Sequence, residues 1–171
     1  MYSTGTQSEY DISEAGWEVT DFNYVNQNGE SVSLGELEGQ FWLAYMVFTA
    51  CPIMTPNMRE IKDYAIENDI DMKFISFSLD PENDTVEYLK YYIEAMGVND
   101  DYWSFLTGYG LDEITRFAEE SFKSPVKKLD DDYLHSTRFF LVNENGEVIR
   151  AYNGMATDLS DIKNDTSRTV Q

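Results

Sequence analysis

The sequence predicts an α/β domain in which a mixed β-sheet is flanked by helices and preceded by an N-terminal β-hairpin. Three observations carry that expectation. Residues 40–79 read as strand, helix and strand, a unit whose right-handed crossover makes the two strands a parallel pair. Two segments, WEVTDFNYVNQNGESVSL (17–34) and STRFFLVNENGEVIRAYNG (136–154), are each centred on Asn-Gly, a strong hairpin signal, and so bring antiparallel strands. Helical stretches alternate with these strands rather than following them as a block. At 171 residues the chain has the length of one domain, and no repeat or low-complexity linker divides it. We take 17–171 as that domain and the polar, small-residue-rich start, MYSTGTQSEYDISEAG (1–16), as a flexible N-terminal segment.

The elements follow in order. The first hairpin turns at Asn28-Gly29, and Leu34 to Gly39 reads as a brief helical turn. QFWLAYMVFTA (40–50) is continuously apolar and aromatic-rich, the pattern of a central strand covered on both faces. Thr55-Pro56 supplies an N-cap and a first-turn proline for a helix through about Asn68, with Met58, Ile61, Tyr64 and Ala65 on one face. DMKFISFSL (71–79) is the next strand. Asp84-Thr85 open a helix to about Met96, which Gly97 stops. Trp103 to Leu106 is a short extended piece, and Leu111 to Phe122 is helical with Ile114, Phe117 and Ala118 inward. KSPVKKLDDDYL (123–134) is a polar loop, the second hairpin turns at Asn145-Gly146, and a frayed helix follows Thr157. A mixed sheet with helices on both faces in this order is the thioredoxin-like plan.

Composition excludes several classes. The net charge is −20, from 32 acidic against 12 basic residues, which repels phosphate backbones and makes nucleic acid a poor partner. The bland account of that charge is a heavily solvated surface; the sharper one is capture of a cation or basic partner. Apolar residues at 42% and aromatics at 15% argue against disorder. No stretch of eighteen apolar residues offers a membrane span, and no export signal opens the chain. A start of this kind suits a mature chain whose signal or anchor has been removed. There is no HExxH, no Gly-rich phosphate loop and no paired-cysteine zinc motif.

Chemistry centres on FTACPIMTPNM (48–58), which holds Cys51, the single cysteine of the chain, between a strand and a helix. A thiol there is a nucleophile, a metal ligand or a small buried side chain. His135 is the single histidine, just ahead of the second hairpin; a surface or hydrogen-bonded role is the plain alternative to metal ligation. Asp80, in SLDPENDT, stands at the carboxyl end of a predicted strand, where ligands bind in α/β sheets. It either serves a site or simply makes a turn with Pro81, with Asn83 or Asp84 capping the next helix.

These segments resemble the Sco/SenC family, thioredoxin-fold copper proteins that assist assembly of the copper site in cytochrome c oxidase. The resemblance is carried by NQNGESVSLGELEGQFWLAYMVFTAC, CPIMTPNM, FISFSLDPENDTVEYLKYY, WSFLTG and HSTRFFLVNENGEVIRAYNG, spread over about residues 22–155. The family pattern places two cysteines, separated by three residues, before Pro-x-Met-Thr. Here Phe48-Thr49-Ala50 runs straight into Cys51-Pro52, four residues fewer. Cys51 matches the second cysteine, because Cys51-Pro52-Ile53-Met54-Thr55 continues as the family does. It matches the first if the shorter stretch follows Cys51-Pro52.

The resemblance implies copper as the bound metal, with Cys51 and His135 as its ligands; thiolate and imidazole suit soft copper(I). Met54 or Met58 would either add a thioether or pack the core. Asp80 matches an acidic residue near the family site, which would accept a hydrogen bond from His135 or offer a hard oxygen to more oxidised copper. The implied partner is the copper-bearing subunit of cytochrome c oxidase. The implied place is the outer face of the cytoplasmic membrane, with a membrane tether in the full-length form. The task would be copper delivery or thiol reduction of the partner. One cysteine excludes a reversible internal disulfide and leaves only a mixed one. Two other readings share the fold. One is a one-cysteine thiol peroxidase, for which Thr49 and Arg59 are the nearby companions to inspect; the other is a redox-inactive binding module. The run Asp130-Asp131-Asp132 lacks alternating ligand spacing and reads as a solvated loop.

Overall fold

The computed structural model describes residues 8–48, 53–98, 101–128, 133–134 and 137–170. Nine strands occur among them: β1 (Asn23–Val25), β2 (Ser31–Ser33), β3 (Phe41–Val47), β4 (Met72–Ser78), β5 (Trp103–Leu106), β6 (Lys127–Lys128), β7 (Tyr133–Leu134), β8 (Arg138–Val142) and β9 (Val148–Asn153). The helices are α1 (Met54–Glu67), α2 (Val86–Met96), α3 (Leu111–Phe122) and α4 (Ser160–Val170). Five strands form the main sheet in the order β5-β4-β3-β8-β9, with β4 and β5 parallel to their neighbours and β8 and β9 antiparallel. The predicted thioredoxin-like arrangement is the one observed.

β3 sits at the centre because it can bury both faces. Leu43, Tyr45 and Val47 point into one apolar layer with Met58 and Ile61 of α1, Leu89 and Ile93 of α2, and Ile162 of α4. Trp42, Ala44 and Met46 point into the other, with Ile114, Phe117 and Phe122 of α3 and Phe22 and Tyr24 of the first hairpin. Alternate residues of one continuously apolar strand thus serve two cores. Phe22 is edge-on to Phe77 and Phe117 at 5.5 and 5.3 Å, so the hairpin is packed as tightly as a helix would be.

Both hairpins exist, but neither uses a two-residue Asn-Gly turn. Asn26-Gln27-Asn28-Gly29-Glu30 and Asn143-Glu144-Asn145-Gly146-Glu147 form the same five-residue loop. In each, the first asparagine's Oδ1 accepts from the amides of the third and fifth residues, at 2.9 and 3.0 Å in one loop and 3.0 and 3.0 Å in the other. Its amide donates to the glutamate carbonyl and its carbonyl accepts from the glycine amide. The glycines take φ +75° and +78°, the left-handed conformation this closure requires.

The early chain closes both sheet edges. Beside β9, the Tyr10 and Trp17 carbonyls accept from Ala151 and Val148, while Ile12 and Val19 donate to Ile149 and Gly146. Beside β5, Val25 exchanges backbone bonds with Thr107. The buried Gln27 then replaces a strand: its Nε2 donates to the Trp103 carbonyl (3.1 Å) and its Oε1 accepts from the Phe105 amide (3.0 Å).

Three expectations need correction. Thr55 is not the N-cap of α1: the helix starts at Met54, and the fully buried Thr55 hydroxyl bonds Tyr45 Oη at 2.6 Å instead. Pro56 consequently sits in the first turn, where its missing N–H has no helical partner to lose. The closing helix is docked rather than frayed. Asp165 of α4 is buried and accepts from Tyr152 Oη (2.6 Å) and Arg150 Nε (3.1 Å), a polar anchor that hydropathy does not reveal. Within the polar stretch 123–134, β6 and β7 pair as a short antiparallel ladder. No described helix is long and apolar enough to cross a membrane.

Two outcomes are expected. Gln27→Leu leaves a buried carbonyl and a buried amide without partners, a loss of about 2–4 kcal/mol in urea unfolding. Burial, with Glu113 adding, pushes the Tyr24 phenol up to about 12, and burial pushes Tyr109 well above its ordinary value. The unfolded chain releases these protons near pH 10 while the folded chain keeps them, so their contribution is complete below about pH 10 and is lost as pH rises through about 12. The urea midpoint should fall across that interval, less steeply in Tyr24→Phe.

Candidate functional site

Cys51 and His135 both lie outside the described residues, as do Thr49 and the run 130–132. The elements that flank them are described. Cys51 belongs to the connection from β3 to α1, three positions before Met54; His135 belongs to the connection from β7 to β8, two positions before Thr137. β3 and β8 pair from Trp42↔Val142 to Ala44↔Phe140, so the carboxyl end of β3 and the amino end of β8 share one end of the sheet. β4 ends there too, because Val47 pairs Ser78 and the Leu79 amide donates to the Val47 carbonyl at 2.9 Å.

Asp80 follows directly. Its carbonyl accepts from the amides of Asn83 and Asp84, and its carboxylate accepts from Asn83 Nδ2 at 3.1 and 3.0 Å. The turn is fixed from beneath: Ser78 Oγ donates to Asp84 Oδ2 (2.6 Å), the Asp80 amide donates to Ser78 Oγ (3.1 Å), and Thr107 Oγ1 donates to the Asp84 carbonyl (2.6 Å). Tyr109 Oη donates to the carbonyls of Ser78 and Leu106; burial first, then Tyr24 and Asp84, hold that phenol protonated for the purpose. Helix α2 is capped by Thr85, whose Oγ1 accepts from the Tyr88 amide, rather than by Asn83 or Asp84. A cavity of about 220 Å³ opens beside Asp80, lined also by Glu82, Tyr109 and Leu111. A wider hollow of about 1070 Å³ lies between residues 8–11 and α4; it is an open surface groove that includes none of these groups.

Met54 and Met58 are buried in the α1-side core, the packing role anticipated as their alternative to ligation. Arg59 is exposed and donates to the Met96 carbonyl at the end of α2 (3.1 Å), an interaction that turns it along the helix surface. Among the described residues no group of three or more His, Cys, Asp or Glu side chains could hold a metal ion.

One contributor escaped the sequence reading. Gly154 ends β9 and touches both flanks at once. Its amide donates to the Thr137 carbonyl at 2.7 Å, and its carbonyl accepts from Asn57 Nδ2 of α1 at 2.8 Å. Asn57 Nδ2 also reaches the Ala156 carbonyl at 3.0 Å. In the sequence this residue is only the end of a hairpin; nothing local marks contacts to partners 97 positions away.

A family model described as SCO1/SenC matches residues 11–171. The SCO1 protein homolog of Bacillus subtilis (strain 168) is 42% identical over 156 residues, covering 87% of this chain and 81% of that protein. Among solved structures, a SCO1/SenC family lipoprotein from Bacillus anthracis superposes with a TM-score of 0.84 at 34% identity, covering 91% of this chain and 96% of the other. BsSco, described with a disulfide switch and as a member of the Sco family of cytochrome c oxidase assembly proteins, gives 0.83 at 38% identity, covering 97% and 100%. Bradyrhizobium japonicum ScoI, solved with copper bound, gives 0.70 at 25% identity, covering 88% and 98%. On a family match that spans nearly its whole length, this chain belongs to the SCO1/SenC family.

Proposed function

We propose that this protein carries copper to the copper-bearing subunit of cytochrome c oxidase during assembly of that enzyme, holding the ion between Cys51 and His135. The carrying observation is the convergence of the flanks at one end of the sheet: Met54 and Thr137 both approach Gly154. Three residues of chain reach at most about 11 Å and two about 7 Å, so a thiolate and an imidazole this close to those anchors are within range of a shared ion. The donor chemistry agrees, since thiolate and imidazole are ligands of choice for copper(I). The copper-bound Bradyrhizobium relative and the assembly role attached to BsSco point the same way.

The single cysteine favours delivery over reduction. A thiolate opening a partner's disulfide forms a mixed disulfide, and releasing the reduced partner needs a second thiol that this chain does not carry. An internal disulfide switch of the kind named for BsSco is closed to it for the same reason. The exposed course of Arg59 removes the one nearby arginine that a peroxidase reading could use. Asp80 would act by accepting a hydrogen bond from His135; its carboxylate is held at the shared end of the sheet by Asn83. The working place is outside the cytoplasm at a membrane surface, a reading supported by the lipoprotein nature of the Bacillus anthracis relative.

Competition titration with copper(I) tests the assignment. Cys51→Ser and His135→Ala should each weaken binding by more than about 100-fold, beyond the 10–100-fold typical for loss of an outer partner. Asp80→Asn should weaken it by about tenfold or more while leaving the metal-to-protein ratio at one. Binding that survives in Cys51→Ser or His135→Ala would refute the ligand set.

A further inference from the structure

Gly154 lacks a side chain where three elements converge. A Cβ built on it would stand 2.6 Å from the Thr137 carbonyl oxygen, 2.8 Å from Met54 Cε and 3.1 Å from Phe139 Cε1. Its φ is not among the left-handed glycines, so the demand for glycine here is one of space rather than backbone conformation. The same residue is bonded through its N–H to Thr137, which follows His135, and through its carbonyl to Asn57 of α1, the helix that follows Cys51.

We propose that Gly154 is a positioning residue of the metal site: its bare Cα sets the separation between the Cys51-bearing and His135-bearing segments. The inference rests on the reading of those two residues as the copper donors. A methyl group at 154 is met by a main-chain carbonyl on one side and a buried methionine on the other. Met54 Cε can swing away, but the Thr137 carbonyl moves only with its backbone, and that backbone leads in two residues to His135. Ligand sets tolerate shifts of a few tenths of an ångström, about the displacement such a contact forces. Asn57 adds the second half of the clamp by tying the first turn of α1 to residues 154 and 156.

Gly154→Ala should weaken copper(I) binding at least tenfold in protein that remains folded by circular dichroism. Gly39→Ala is the matched control: Gly39 lies ahead of β3 with φ +83° and open space around its Cα, so the change strains the fold away from the site. It should lower the melting temperature and leave copper affinity within twofold. Copper-free protein supplies a second readout, a nuclear Overhauser contact between the Cys51 β protons and the His135 ring. That contact should be present in the unaltered protein, lost in Gly154→Ala and kept in Gly39→Ala.

Unchanged affinity in folded Gly154→Ala overturns the inference. If the unaltered protein binds no copper yet shows the contact, and Gly154→Ala abolishes it, the inference stands and the proposed function falls. Absence of both binding and contact in the unaltered protein overturns both. Should Gly154→Ala fail to fold, Asn57→Ala decides instead: several-fold weaker binding supports the clamp, and undiminished binding refutes it.

Discussion

The structure depends on β3 being paired on both sides while burying every second residue in a different core. From Trp42 to Ala44 its backbone is shared between a parallel neighbour, β4, and an antiparallel one, β8. That double pairing forces a layer of helices on each face, because neither set of alternating side chains can be left in water. It also fixes direction. One strand leaving and one strand entering the sheet must do so at the same end, and β4 leaves there as well. The topology therefore delivers three connections to one place before any side chain is considered.

Much of this was legible because the signals were local. Leu111–Phe122 is the helix its periodicity marks, and Gly97 stops α2 with φ +69° as a C-terminal glycine should. The failures share a physical cause, which is that a distant partner outbid a local preference. Thr55 has the chemistry of an N-cap, but its hydroxyl is claimed by Tyr45 from the central strand. The segment SDIKNDTSRTV looks too polar to dock, yet Asp165 reaches two partners on β9. Asn-Gly marked both turns correctly while concealing their size, because an asparagine two positions earlier does the closing.

The site was legible in a different way. Cys51 and His135 are separated by 84 positions and form no motif; their residue types suggested soft-metal chemistry, and family resemblance supplied the pairing. Asp80 could be placed at a strand end from sequence, but the four hydrogen bonds that hold its turn could not. Gly154 was beyond reach altogether. A glycine required for a turn advertises itself through neighbouring residues, whereas one required for close approach is defined by atoms that only the tertiary fold brings near.

The closure of both sheet edges bears on how the molecule meets others. An open edge beside strands as apolar as β3 and β4 would template growth with further copies, the first step towards amyloid. With residues 10–19 along β9 and Val25 and Gln27 along β5, that route is shut at both margins. A partner cannot be recruited by donating a strand, so recognition falls to loops and helix surfaces. Solubility here therefore has a geometric guard as well as the electrostatic one.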